Sequence, residues 1–378
     1  MDNDALARSG MDALRRGDPA SARTAFEAIT ATGNAPPQPW VLLAQSCALL
    51  GDHAAADTAL DAVLRLEPRN LYALLMKGDA FVLAGDDRAA VSWYMMAVNT
   101  AAGATLTPDL PPRLAAAEQI IARTKGSFRE HLDAQLAARG VADAGPRFAE
   151  ALAILSGEKQ LYLQSPTSFF FPGLPHTQFF ESADFTWVAG LEAAAPAIRA
   201  ELEAVLATDT GLKPYVEADP TRPNKGHTLL GDPDWSAFHL IENGAPVAGN
   251  ADRCPATLAA LADLPIPEIA GRSPMALFSV LRPHTHIPPH SGMLNTRLIV
   301  HLPLIVPDGC RLRVGNDVRA VVAGKVMIFD DSIEHEAWND SDETRVVLLF
   351  EIWRPELSTA ERHALTAMFE AIGTYPSA

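Results

Sequence analysis

The most strongly patterned part of the chain covers residues 279–353. It contains SVLRPHTHIPPHSG at 279–292, NTRLIVHLPL at 295–304 and GKVMIFDDSIEHEAWNDSDETRVVLLFEIW at 324–353. Alternating apolar and β-branched runs, broken by Pro, Gly and Asn-Asp-Ser clusters, are typical of short antiparallel strands joined by turns. Several histidines and one arginine stand at the ends of these runs. The pattern therefore predicts an all-β barrel that holds a metal pocket.

The N-terminal third of the chain repeats with a fixed period. Gly-Asp pairs begin at Gly17, Gly51 and Gly85, and the intervals are 51 − 17 = 34 and 85 − 51 = 34. Small residues keep the same register at Gly10, Ala44 and Gly78, and bulky residues keep it at Phe26, Leu60 and Tyr94. This pattern resembles the tetratricopeptide repeat, in which stacked helix pairs form a concave groove. We expect three units over about 5–102, with further helices at 113–123 and 128–139 capping the stack.

Prolines mark the change from helical to β structure. They occur in SPTSFFFPGLP at 165–175, where they stop helices and favour extended backbone. An alanine-rich amphipathic helix at 188–207 is expected on the outside of the sheet. The predicted fold is α+β with two domains: tetratricopeptide-like repeats at 1–125, a helical connector at 126–165, and a double-stranded β-helix of the jelly-roll or cupin type with outer helices at 166–378.

Composition limits the classes of partner. The chain has 378 residues, 46 acidic against 30 basic side chains and a net charge of −16. Nucleic acids and anionic membranes attract basic surfaces, so neither is an expected partner. The beginning MDNDALARSG lacks the pattern of a signal peptide, no window approaches eighteen apolar residues, and Cys47, Cys254 and Cys310 lie far apart. We expect a soluble cytoplasmic protein without a membrane span, a disulfide framework or a zinc site.

The motifs of the β segment resemble those of the aspartyl/asparaginyl β-hydroxylases. The matching features are His290 followed by Ser-Gly, the run 295–301, FDDS ahead of EHEAWND, and Arg345 before a strand that ends in WRPEL. Several spaced motifs that agree are more specific than one. The resemblance covers about the last half of the chain. It implies a dioxygenase that uses iron(II), 2-oxoglutarate and dioxygen on a double-stranded β-helix.

The resemblance places the metal ligands at His290 and His335. Iron in such sites is usually held by H-x-D/E and a later histidine, but glycine occupies the carboxylate position here, at Gly292. If the segment around His335 is extended, Glu334 and Glu336 point to the opposite face. We expect two histidine ligands, with water in the vacant position, as in the family that the sequence resembles.

The same resemblance assigns the co-substrate contacts. Arg345 opens an apolar strand and matches the family's arginine for the distal carboxylate of 2-oxoglutarate, which a guanidinium can bind with two hydrogen bonds. Ser279 and His301 match the other contacts. The alternation of a strand places Arg297, Ile299 and His301 on one face, which agrees with this assignment.

Other histidines and aromatic residues have weaker claims. His284 and His286 precede the turn at the metal motif, and local hydrogen bonds or a supporting role behind the ligands are expected for them. His227, Trp235 and His239 are candidates for the mouth of the pocket, although packing or solvent-facing roles are commoner for such residues.

The predicted function is hydroxylation of a C–H bond, first of all at the β-carbon of an Asp/Asn-type residue in a peptide or protein that the repeats could hold. Leu277 and Ile299 stand where the family's peptide hydroxylases carry basic residues for an acidic side chain. Burying a carboxylate there without a partner costs several kcal/mol. The alternatives are an oxygenase for a lipid or small molecule, and a non-catalytic repeat adaptor with a degenerate β domain.

Overall fold

The computed structural model describes residues 2–31, 33–208, 211–218 and 229–375. The chain divides into two compact units, Met1–Lys159 and Gln160–Ala378. The first unit is helical and the second contains antiparallel sheets with flanking helices. The predicted α+β architecture is therefore confirmed.

The helical unit consists of consecutive antiparallel helix pairs followed by a long helix and a short one. Its elements are α1 (Asn3–Arg15), α2 (Pro19–Thr30), α3 (Pro37–Leu49), α4 (His53–Leu66), α5 (Leu71–Leu83), α6 (Asp87–Ala101), α7 (Leu110–Ala138) and α8 (Pro146–Leu155). First helices of successive pairs start 37 − 3 = 34 and 71 − 37 = 34 residues apart, as the repeat predicts. The two helices expected within 113–139 are a single helix, α7, because no Pro or Gly-rich turn separates them.

Each Gly-Asp pair forms the turn between the helices of one unit. Gly17, Gly51 and Gly85 adopt a positive φ of 75–76°, a conformation that is unfavourable for other residues. The following aspartate caps the next helix: Asp18 accepts from the N–H of Ser21, and Asp52 from that of Ala55. A cap of this kind contributes about 1 kcal/mol. Identical chemistry at a period of 34 residues thus produces identical turns.

Small residues let the paired helices approach closely. A Cβ on Gly10 would lie 2.7 Å from Cζ of Phe26, and one on Gly78 would overlap the ring of Tyr94. Phe26, Leu60 and Tyr94 are buried in the cores between helices. The register of small and bulky residues in the sequence is therefore the register of helix packing.

The second unit contains twelve strands and three helices within the described residues, and its last eight strands follow one another without a helix between them. Its strands are β1 (Phe179–Phe180), β2 (Lys213–Pro214), β3 (Trp235–Glu242), β4 (Ala245–Pro246), β5 (Ala276–Leu281), β6 (Thr285–His290), β7 (Arg297–Ile305), β8 (Cys310–Val314), β9 (Asp317–Ala320), β10 (Met327–Phe329), β11 (His335–Asn339) and β12 (Arg345–Trp353). Its helices are α9 (Val188–Leu206), α10 (Pro255–Leu261) and α11 (Thr359–Gly373), with short 3-10 turns at Ser182–Asp184 and Ala251–Arg253.

Successive strands alternate between two antiparallel sheets. The larger sheet has the order β1-β10-β7-β12-β5-β3-β2, with β4 beside β3, and the smaller has the order β6-β11-β8-β9. From β5 to β8 and again from β10 to β12, the chain passes from one sheet to the other. This is the topology of a double-stranded β-helix, which confirms the predicted jelly roll.

The larger sheet has a different core on each face. Helix α9 covers the outer face, where Leu191, Ile198 and Leu202 pack in one cluster with Val300 and Leu302, as the amphipathic pattern predicted. The inner face meets the smaller sheet in a second apolar cluster. Because side chains alternate along each strand, every second residue of β3, β5, β7 and β12 points to this inner space.

Candidate functional site

A cavity of about 700 Å³ lies on the inner face of the larger sheet. All five residues assigned from the sequence line it: Ser279, His290, His301, His335 and Arg345. They come from β5, β6, β7, β11 and β12, so the topology brings together residues that are far apart in the chain.

His290 and His335 face each other as register partners of β6 and β11. Their ring centroids are 4.1 Å apart. Nδ1 of His290 lies 2.8 Å from the carbonyl oxygen of Pro288, and Nδ1 of His335 lies 3.0 Å from that of Ile333. A carbonyl only accepts, so each Nδ1 carries the hydrogen and each Nε2 carries a lone pair. Both side chains are thus held in the tautomer that a metal ligand requires.

Protonation of these imidazoles is disfavoured. Burial, followed by the neighbouring His290, lowers the pKa of His335 to about 3. Burial, followed by the charge of Arg345, lowers the pKa of His301 well below its ordinary value. Both rings are therefore neutral at pH 7, where a protonated ring could not bind a cation.

Gly292 has no room for a carboxylate ligand. A Cβ on this residue would overlap the side chain of Asp331, and the Gly292 N–H donates to the Asp331 carbonyl oxygen at 2.6 Å. Burial raises the pKa of the Asp331 carboxyl to about 7, and its Oδ1 has no hydrogen-bond partner among the described residues. Within the described part of the chain, no third His, Cys, Asp or Glu joins the two histidines in a metal-binding group.

Arg345 is a buried cation that pairs with no carboxylate in the described part of the chain. Its side chain is 1% exposed, no described carboxylate forms an ion pair with it, and its Nε has no hydrogen-bond partner among the described residues. Burial lowers its pKa to about 10, which still leaves it charged at pH 7. Ser279 on β5 is the register partner of Val347, which stands two residues after Arg345 on β12. The Nε1–H of Trp235 donates to the Ser279 hydroxyl at 3.2 Å. Such a guanidinium is suited to bind an anion that enters the cavity.

Arg297 occupies another part of the cavity wall. It forms ion pairs with Glu351, whose side chain is fully buried, and with Asp331 at 3.6 Å. Neither Glu351 nor Asp331 was among the residues predicted for the site. A lone acidic residue within the apolar run VVLLFEIW was the available signal for Glu351. The proximity of Asp331 to Gly292 depends on tertiary structure, so no local pattern in the sequence indicated it.

The residues with weaker claims are also placed by the structure. His284 and His286 hydrogen-bond to Asp342 and Glu336 at 2.9 and 2.8 Å, which confirms the expected local roles. Glu334 and Glu336 form ion pairs with Arg313 rather than lining the cavity, as their strand position predicted.

Trp235 and His239 line the cavity, whereas His227 lies outside the described residues. Trp235 stacks on Tyr215 with ring centroids 4.0 Å apart. The three cysteines are buried, and none of them forms a disulfide bond.

Comparison with known proteins agrees with this geometry. Residues 192–355 match the family described as aspartyl/asparaginyl beta-hydroxylase. The chain is 39% identical to the ornithine lipid ester-linked acyl 2-hydroxylase of Rhizobium tropici over 48% of this chain and 62% of the relative. It is also 39% identical to the mouse aspartyl/asparaginyl beta-hydroxylase, over 36% of this chain and 18% of the relative. The chain thus spans less than two thirds of these relatives.

A solved structure also shows a partial likeness. PcrH from Pseudomonas aeruginosa aligns with 32% of this chain and 89% of its own, at 16% identity and a TM-score of 0.29. Within the described residues, no helix combines the length and the apolarity that a membrane crossing requires. The family match and the relatives' alignments show that residues 192–355, which carry the paired histidines of the double-stranded β-helix, are similar to the aspartyl/asparaginyl β-hydroxylases.

Proposed function

We propose that the protein is a hydroxylase that uses iron(II), 2-oxoglutarate and dioxygen. The observation that carries this proposal is one cavity that contains two imidazoles, each with Nδ1 held by a backbone carbonyl, and a buried guanidinium that pairs with no described carboxylate. The first pair suits a divalent transition metal, and the guanidinium suits a dicarboxylate. Structural histidines and arginines of the same unit have protein partners instead, as at His286 and Arg354.

The residues fit iron(II) in a two-histidine site. His290 and His335 would bind it through Nε2, because Nδ1 of each ring is held by a carbonyl. Asp331 fills the space beside Gly292, so a carboxylate cannot be added there in the usual way. When bound, iron(II) with 2-oxoglutarate and dioxygen inserts one oxygen atom into a C–H bond and releases succinate and carbon dioxide.

The protein's own groups orient the reactants and exclude water. Arg345 would bind the distal carboxylate of 2-oxoglutarate with two charge-assisted hydrogen bonds, which are strong at a buried position. The hydroxyl of Ser279 and the neutral ring of His301 line the same part of the cavity and would complete the contacts. The apolar neighbours Ile299, Leu312 and Leu349 keep this space poor in water.

The substrate has two candidate classes. An Asp/Asn-type residue of a peptide remains the prediction from the family resemblance, and the helical repeats are a candidate peptide-binding surface. A lipid or small acyl compound is favoured by the lining: Ile299 and Leu349 are apolar, and Arg297 is already paired with Glu351 and Asp331. A relative's name also specifies an acyl 2-hydroxylase. We therefore propose an acyl substrate, with a peptide as the alternative.

The test is succinate formation from 2-oxoglutarate when air is admitted to protein loaded anaerobically with iron(II). His335→Ala should lose both the turnover and the bound iron, because one of two protein ligands is removed. His284→Asn is the matched control, since His284 is exposed and pairs with Asp342 outside the cavity. Iron binding without succinate in any substrate mixture, acyl or peptide, would instead support a non-catalytic adaptor.

A further inference from the structure

The cavity has two ends that both carry arginines. Arg345 and Glu351 stand on the same strand six residues apart, which corresponds to roughly 20 Å of extended chain. Arg297 is the register partner of Trp353 and pairs with Glu351, so it belongs to the end opposite Arg345. The proposed co-substrate would occupy the Arg345 end. A substrate would therefore reach the remaining length of the cavity, towards Arg297.

Arg272 lines the cavity and comes from the segment that leads into β5. Its guanidinium carbon lies 4.3 Å from the ring centroid of Phe369, so one face of the guanidinium is stacked on an aromatic ring. A stacked guanidinium keeps its N–H groups at the edge available for hydrogen bonds. No ion pair or side-chain hydrogen bond of Arg272 is formed with any residue that the structure describes.

The charge of Arg272 is not balanced at this end. Burial, and then repulsion from Arg297, lower the pKa of Arg272, while Glu351 acts in the opposite direction. Glu351 and Asp331 are already bound to Arg297. Glu217 and Glu242 also line the cavity, but neither forms an ion pair with Arg272 within 4 Å. An anion that enters the cavity would therefore pair with a half-buried cation that forms no ion pair with a described carboxylate.

The lining between the two ends is apolar. Met275, just before β5, and Ser279 on β5 both line the cavity, and Ile299 and Leu349 face the same space from β7 and β12. The stacked rings of Tyr215 and Trp235 add an aromatic wall. A ligand complementary to this end has an anionic group near Arg272 and an apolar chain that runs towards the two histidines.

We propose that Arg272 is a specificity-determining residue that binds the anionic group, a carboxylate or a phosphate, of an acyl substrate whose chain lies along Met275, Ile299 and Leu349. The proposal rests on the hydroxylase function proposed above and names the feature of the substrate that the site recognises. Arg297 is excluded from this role because Glu351 and Asp331 neutralise it.

The test measures binding of three eight-carbon probes to iron-free protein by calorimetry: octanoate, octyl phosphate and 1-octanol. Native protein should bind at least one of the two anions about tenfold more tightly than the alcohol, since a charged hydrogen bond contributes about 1.5–3 kcal/mol. Arg272→Gln should remove this difference and leave the affinity for 1-octanol unchanged. The two anionic probes distinguish a carboxylate from a phosphate as the recognised group.

Matched variants separate binding from structure. Arg199→Gln removes an exposed arginine of α9 that pairs with Glu203 and should leave the preference for anions intact. Phe369→Leu removes the ring beneath Arg272 but keeps the guanidinium, so it should weaken anion binding by less than Arg272→Gln does. Thermal unfolding of each variant shows whether α11 has been loosened.

Three results would overturn the proposal: equal affinity for 1-octanol and the anions, an unchanged preference in Arg272→Gln, or tighter binding of an aspartate-containing octapeptide than of any acyl probe. Failure of all probes to bind would also count against it. These results leave the succinate assay untouched. Loss of iron-dependent succinate formation with normal probe binding would instead remove the proposed oxygenase function and retain the anion site.

Discussion

Two sets of buried arginines and carboxylates in the β unit use their polar atoms differently. In the first, Arg354 donates to Asp330 at 2.6 Å and to the carbonyl oxygen of Pro175 at 2.7 Å, and Gln164 donates to Asp330 at 2.6 Å. In the second, at or behind the cavity wall, several buried polar atoms have no partner among the described residues. They are Nε of Arg297, Oδ1 of Asp331, Nε of Arg345 and Oε1 of Glu351.

The difference indicates which set of residues supports the fold and which is suited to bind a ligand. Burying an unpaired polar atom costs about 1–3 kcal/mol, so native proteins seldom keep several together unless something binds them. The network of Arg354 joins the segment before β1 to the end of β12, and each of its three guanidinium nitrogens has a partner within the described residues. Asp331 and Arg345 line the cavity, where a bound group could supply the missing partner.

The largest effect is expected in the closed network. Arg354→Met should lower the free energy of unfolding by about 3–5 kcal/mol, because Asp330 would remain buried without its cation. Chemical denaturation of the β unit within the whole chain measures the loss. A change below 1 kcal/mol would mean that this network is no more structural than the cavity wall, and the comparison would fail.

The same substitution at Arg345 should reduce ligand binding and activity rather than stability. Arg345→Met removes a buried charge that has no protein partner, so stability should be unchanged or higher. Native protein with iron(II), without dioxygen, should gain about 2.7 kcal/mol from 2-oxoglutarate at one hundred times its dissociation constant, and the variant should gain none. Succinate formation should fall at least a hundredfold. Retained stabilisation by 2-oxoglutarate in Arg345→Met would show that this guanidinium is not the anion site.

Gly292→Asp tests how the cavity wall is packed. The new side chain would overlap Asp331, so we expect a loss of about 1–3 kcal/mol, as for other overpacked sites. Gly292→Asp combined with Asp331→Gly should recover most of the stability, because the second change removes the overlapping carboxylate. Comparing the unfolding energies of the single and double variants measures the coupling. Additive losses would exclude direct contact between these positions.

The smallest effect is expected at Asp52, a partly exposed acid of the helical unit whose carboxylate has hydrogen-bond partners. Asp52→Ala should lower stability by about 1 kcal/mol, through loss of the cap on α4 and of the partly exposed pair with Arg23. Asp52→Asn should lose less, because asparagine caps a helix nearly as well. Melting of the helical signal follows both variants, and a loss as large as that of Arg354→Met would mean that burial does not set the order of these effects.

Local patterns made much of the fold predictable. The repeated Gly-Asp pairs predicted the helix pairs, because the positive φ and the N-cap that they supply are both required within a single turn. Alternation in the β runs gave the strands, and the motif around His290 and His335 located the facing histidines. Arg345 could be singled out because a cation in an apolar strand has no solvent to face.

The remaining features depend on contacts between distant segments. Asp331 could be assigned only to a turn from its sequence, because its closeness to Gly292 follows from the meeting of two loops. Arg272 gave no signal, since a stack on Phe369, 97 residues later (369 − 272 = 97), leaves no local pattern. The uninterrupted helix α7 replaced two expected helices because polarity alone does not end a helix.

The position of β12 has a consequence for synthesis of the protein. This strand is inserted between β5 and β7, in the middle of the larger sheet, although it is the last strand to be made. While the ribosome is still making the chain, β5 and β7 cannot bridge this gap, and Arg345 is absent. The helical repeats, built from neighbouring segments, can fold as they emerge, whereas the cavity must wait for residue 353. The proposed sites for iron and co-substrate would therefore form only in a finished β unit.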